Sequence, residues 1–266
     1  MNPSTTLLLP PPELQGCVRA FISRDTTGSA LSMAERLNRF PSTPLCTLTW
    51  FLSGKAITVE PEEGVLLGRI VASGPLTRPV VTFNPGPVRA FMAVFYPSAW
   101  HQMCGLDPGD IVDCFIEPSR LGPGWMEMAQ AVLQAPDDGA RVALLAAFFK
   151  PRWTPAATQP AASWLERLKE AAHAGAGASA RSIERRFKAI GGQPLRTLRR
   201  LDRAERTLAD VHVAAAHGEL AWSDIAAEAG YSDQAHLCRE VRAITGATPA
   251  MLARGDESFW LYRIWR

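Results

Sequence analysis

Two stretches of this chain repeat one another 54 residues apart. The segment "SARSIERRFKAIGG", from Ser179, aligns with "DQAHLCREVRAITG", from Asp233, matching Ile183 with Leu237, Phe187 with Val241, Ile190 with Ile244 and Gly192 with Gly246. Apolar residues three and four apart fall on one face of a helix with 3.6 residues per turn. Each copy is therefore predicted to be a short helix with one buried side. Ser179 and Asp233 stand where a side-chain oxygen can accept from first-turn amides, each closely preceded by a glycine, Gly177 or Gly230. Between the copies, Pro194 to about Ala216 carries the stripe Leu195, Leu198, Leu201, Leu208 and Val211. That stripe predicts one long helix, with Pro194 suited to its first turn and Gly218 just past its end.

The rest of the chain has a different texture. "PLCTLTWFLSGKAITV" and "RPVVTFNPGPVRAFMAVFY" are β-branched and aromatic runs broken by Ser-Gly and Asn-Pro-Gly-Pro signals, as antiparallel strands joined by hairpins require. From about 97 to 150 the pattern turns helical. "KPRWTPAATQPAAS", Lys150 to Ser163, is rich in Pro, Ala and Thr without an apolar period and reads as a linker. The expected fold is α+β: a β-rich domain with helices over 1–150, a linker over 151–162, and an all-α domain over 163–266 in which two similar modules are joined by the long helix. With 47% apolar and 20% charged residues, the chain has the composition of a globular protein.

The net charge of +2 conceals an asymmetry. Residues 181–206 hold nine basic side chains against three acidic ones, a field that suits an anionic partner or a solvated helix face. On the first repeated helix Arg181, Arg185 and Lys188 lie opposite the apolar stripe with Glu184 at the flank, and on the second Ala235, Arg239 and Arg242 lie opposite with Cys238 flanking. A preceding helix, "WSDIAAEAGYS", offers Ser223 as a cap, the small packing residues Ile225, Ala226 and Ala229, and a turn at Gly230. Two helices so arranged leave the second protruding enough to enter a major groove.

In "IAAEAGYSDQAHLCREVRAITGATP" and "RSIERRFKAIGGQPLRTLRRLDRAERTL" the chain resembles the DNA-binding domain of AraC/XylS-type transcriptional regulators over about 100 residues. The resemblance implies a transcriptional regulator whose partner is double-stranded DNA; a cytoplasmic location is expected from the sequence itself. The resemblance also implies two helix-turn-helix units joined by the long helix, and an N-terminal domain, often a cupin-like barrel, that binds a small-molecule effector or only dimerises. RNA polymerase is a further implied partner, with the chain a monomer or homodimer. By the resemblance, Arg181, Glu184 and Arg185 face bases from the first helix, and Gln234, Ala235, Cys238 and Arg239 from the second, with Lys188 and Arg242 beside them. Within the β-rich domain, Trp50, Phe51, Phe83, Phe91, Phe95 and Tyr96 are either core or the lining of an apolar pocket.

Rival chemistries are weaker. Five cysteines without a C-x-x-C pair suit reduced thiols rather than disulfides. "HQMCGLDPGDIVDC" gathers His101, Cys104, Asp107, Asp110 and Cys114 without a second cluster to complete a metal site; capped helices with buried thiols are the plainer reading. His101 is the only histidine before residue 173, which disfavours a metal-dependent cupin enzyme, so no enzymatic activity, cofactor or metal is expected. A secretory leader is not expected in "MNPSTTLLLPPPELQG", and the longest apolar run, "VALLAAFF", falls short of the roughly 20 residues of a membrane span. His236 and Cys238, two apart on a helix, diverge by about 200° and cannot share a metal ion. Chelators should therefore leave DNA binding unchanged; stoichiometric zinc in the purified protein, measured by elemental analysis, would contradict this.

Overall fold

The computed structural model describes residues 3–60, 64–154, 163–174, 179–217, 221–254 and 256–264. Its first part runs β1 (Ser4–Leu8), β2 (Val18–Asp25), β3 (Leu37–Phe40), β4 (Cys46–Ser53), β5 (Ile57–Thr58), β6 (Ile70–Ser73), β7 (Val80–Phe83) and β8 (Arg89–Phe95). Then come α1 (Pro97–Cys104), β9 (Phe115–Ile116), α2 (Trp125–Gln134) and α3 (Asp138–Phe149). The strands form two antiparallel sheets, one ordered β1-β2-β8-β4-β6-β9 and a smaller one ordered β3-β7-β5.

Strand alternation gives the large sheet two different faces. Trp50 pairs with Phe91 and Leu48 with Ala93 across β4 and β8. With Phe21 and Phe95 they are fully buried beneath α1–α3, where Trp50 Nε1 donates to the Ala129 carbonyl at 2.9 Å. The intervening residues Thr49, Phe51, Met92 and Val94 face the small sheet across a cavity. Of the six aromatics singled out in the sequence, Phe51 lines that cavity; Trp50, Phe91 and Phe95 are core. Burying each such ring contributes about 1.5–3 kcal/mol.

The helical part comprises α4 (Trp164–His173), α5 (Ala180–Gly191), α6 (Leu195–His217), α7 (Trp222–Glu228), α8 (Gln234–Thr245), α9 (Pro249–Arg254) and, after a 3-10 turn at Glu257–Phe259, α10 (Trp260–Ile264). The repeated helices are α5 and α8, capped as expected: Ser179 accepts from the Ser182 amide and Asp233 from the His236 amide. The expected cap Ser223 instead lies within α7, which starts after Ala221. Most of the expected linker, together with Gly177 and Gly218, lies outside the described residues.

The β-rich part grips the same end of both repeated helices. After α5, Gln193 donates to the Leu76 carbonyl at 3.3 Å; at the end of α8, the Ile244 carbonyl accepts from the Ser42 amide at 2.8 Å. Gly192 and Gly246, equivalent in the repeat, both terminate their helices in the left-handed region, at φ +71° and +75°. A Cβ on Gly192 would lie 2.9 Å from Pro75 and Val112, whereas one on Gly246 would come no closer than 3.5 Å to Pro79. Gly246→Ala should therefore cost about 1–2 kcal/mol from backbone strain alone. Gly192→Ala should cost more, because Pro75 must also yield; denaturant unfolding of the two variants checks the order.

Candidate nucleic-acid interface

The first unit presents its polar face to solvent. Arg181, Glu184, Arg185 and Lys188 are exposed on α5, and with Arg196 and Arg199 from the start of α6 they line an open groove. That groove holds five cations against one carboxylate. Arg196 was not singled out from sequence, although its spacing from Arg199 places both on one side of α6. Phe187 and Leu198 anchor the opposite side, together with Leu168 of α4, in the first helical core.

In the second unit Gln234, Ala235, Arg239 and Arg242 are exposed on α8, while Cys238 is half-buried and packs partly against the second helical core. Leu237 and Val241 are fully buried there with Ile225, Ala226 and Tyr231. The turn between α7 and α8 is made at Gly230, φ +74°. His236 Nδ1 sits 3.1 Å from the Ser232 hydroxyl and its ring meets Tyr231 edge-on at 5.3 Å, so this imidazole steadies the turn.

The basic run divides into two roles. Arg203 reaches from α6 to the Glu240 carboxylate at 2.6 Å, to the Gly230 carbonyl at 3.2 Å and over the Tyr231 ring at 4.2 Å. Arg200 joins it on Glu240 at 2.9 Å, and Arg206 pairs with Asp202 at 2.8 Å. These three fasten the second unit to the long helix or brace that helix. Among the described residues Arg181, Arg185, Lys188, Arg196 and Arg199 form no intramolecular ion pair.

Three of the thiols are not activated. Burial pushes Cys17 and Cys46 well above the ordinary thiol range and Cys104 up to about 11. Asp107 does orient His101, at 2.8 Å, but the Cys104 thiol contacts the Trp100 carbonyl at 3.1 Å. Cys114, expected to be buried, is exposed. Among the described residues no three of His, Cys, Asp and Glu come together as a metal-binding group, and no helix is long and apolar enough to cross a membrane.

Two repeated helices, each preceded by a helix and each offering an outward polar face, have the arrangement of a helix-turn-helix fold. Residues 173–255 match the family model described as a helix-turn-helix domain. Over these residues the chain is similar to helix-turn-helix domains. Among solved structures, ToxT from Vibrio cholerae is similar at 9% identity with a TM-score of 0.40, covering 82% of this chain and 96% of that one. An unsaturated-fatty-acid-bound ToxT from V. cholerae strain SCE256 is similar at 9% identity and TM-score 0.40, covering 88% and 94%. The AraC-like transcriptional activator CuxR is similar at 11% identity and TM-score 0.22, covering 99% and 100%. No curated protein matches in sequence.

The Glu240 cluster carries a pH dependence. Burial alone would raise this carboxyl, but the Arg203 and Arg200 hydrogen bonds outweigh it and hold its pKa below the ordinary value of 4.5. A lowered folded-state pKa contributes stability that is full above the unfolded value and lost as pH falls through the folded one. Glu240→Gln should cost about 3 kcal/mol at neutral pH. Its unfolding midpoint should also fall less steeply than that of the unaltered protein as pH drops below about 4.5; thermal melts across that range check both statements.

Proposed function

We propose that this chain is a sequence-specific regulator in which one molecule reads two half-sites with different side chains, under control of a small molecule bound by the β-rich domain. The observation that carries the DNA reading is the pair of exposed polar faces at equivalent positions of a repeat. Arg185 and Arg239 correspond, yet Arg181 and Glu184 neighbour the first and Ala235 and Cys238 the second. Arginine pairs bidentately with guanine, Gln with adenine, and a small side chain such as Ala235 meets a thymine methyl. The 23-residue α6 spans roughly 35 Å at 1.5 Å per residue, close to one turn of B-DNA. The two recognition helices then meet successive major grooves on one side of the duplex.

Effector control is supported by the cavity between the two sheets, about 120 Å³. It is lined mostly by aliphatic side chains with a few hydroxyls and amides, the usual make-up of a small-molecule site.

Arg185→Ala should cost about 1–3 kcal/mol in DNA affinity and relax base preference in one half-site only; Arg239→Ala should do so in the other, about 10 bp away. Arg199→Ala, at the groove edge, should weaken all sequences alike and reduce the salt dependence of binding. Selection from random duplex DNA with the full-length variants tests this. Relaxation of the same bases by both arginine variants, or of none, would refute the two-reader arrangement.

A further inference from the structure

The run Phe259-Trp260-Leu261-Tyr262 lies beyond the matched helix-turn-helix segment and divides its side chains between two cores. Phe259 and Tyr262 are buried in the core of the second helix-turn-helix unit. Trp260 and Leu261 are buried against the sheets, and both form part of the wall of the cavity there. Trp260 Nε1 donates to Asn38 Oδ1 at 2.9 Å, its ring meets Phe40 edge-on at 6.1 Å, and the Arg24 guanidinium lies 4.8 Å from the ring centre.

The polar groups of the cavity define what it would take. Arg24 is the only charged residue lining it among the described residues, and it already meets Glu257 at 2.9 Å, with both side chains mostly buried. A second carboxylate would have to displace Glu257 or be buried without a counter-charge, at a large desolvation cost. Asn38 Nδ2 is satisfied by Asn84 at 2.6 Å, and Thr47 pairs with Ser73 at 2.7 Å. Thr49, only 7% exposed, lines the cavity and makes no side-chain hydrogen bond among the described residues. A buried hydroxyl lacking a protein partner is a ready handle for a ligand's polar group.

The geometry points to a binding site for a small uncharged apolar molecule bearing one hydrogen-bonding group, held at Thr49 and walled on one side by Trp260. The assignment rests on the effector reading above and gives that site its ligand class and its route to the second helix-turn-helix unit. A molecule in the cavity touches Trp260, whose neighbours Phe259 and Tyr262 are fixed in the second core. Occupancy therefore bears on how that unit is held, and DNA must in turn bear on ligand affinity by the same factor.

The test uses the full-length protein with benzyl alcohol and with benzoate, near-equal in size but different in charge, titrated to 10 mM, roughly the weak end of small-ligand affinity, by calorimetry and ligand-observed NMR. The expected result is one benzyl alcohol per chain and at least tenfold weaker benzoate binding. Thr49→Val should weaken benzyl alcohol about tenfold, and Trp260→Leu should abolish its binding. Should Trp260→Leu fail to fold, judged by its thermal melt, Thr49→Val still decides. Equal or tighter benzoate binding, no binding of either probe, or binding indifferent to Thr49→Val would overturn the proposal. Saturating benzyl alcohol should shift the DNA dissociation constant at least threefold, and the shift should vanish in Trp260→Leu. A bound probe with no effect on DNA would refute effector control while leaving the site intact; tighter benzoate with an effect on DNA would do the reverse.

Discussion

Trp260 and Leu261 on one side, and Phe259 and Tyr262 on the other, hold the two halves of this molecule in register. Four consecutive buried residues, where the 3-10 turn runs into α10, join the second helical core to the sheets. The Arg24–Glu257 ion pair and the Trp260–Asn38 hydrogen bond add direction to an otherwise apolar contact. The Ser42 amide, donating to the Ile244 carbonyl at the end of α8, is a further tie between the second unit and the sheets.

The large sheet serves two purposes because its strands are buried on both sides. One face supplies aromatic bulk, Trp50, Phe91 and Phe95, against which α1–α3 pack. The other supplies smaller and more polar side chains, among them Thr47, Thr49 and Ser73, which cannot fill the gap to the small sheet. The cavity follows from that difference in volume. A one-residue slip of β4 against β8 would exchange the faces, placing Trp50 in the cavity and threonines under the helices.

The helical half shows a similar division among like side chains. Arg203 and Arg199 are four residues apart on α6, yet Arg203 lies over Tyr231 and on Glu240 while Arg199 borders the open groove. The buried Glu240 makes the distinction. It draws in two arginines to offset its own desolvation, and the cations beyond its reach stay on the open groove.

Local sequence was enough to reveal the repeat, both N-caps, the long helix and the outward placement of Arg181, Arg185 and Arg239. Helical periodicity and capping depend on residues within a turn or two of each other, and here they agree along the whole segment. The same local signals misplaced the start of α7, because Ser223 resembles a cap but the helix is capped two residues earlier, at Ala221. Only the tertiary structure decided which aromatics are core and which residues line the cavity, since Thr49 and Trp260 are 211 residues apart in sequence. Likewise it took the fold to set Glu240 between two arginines of a distant helix and to place Phe259–Tyr262 between two cores. Such contacts are fixed by chain topology and by the balance of burial against desolvation, and neither is written in any single stretch of residues.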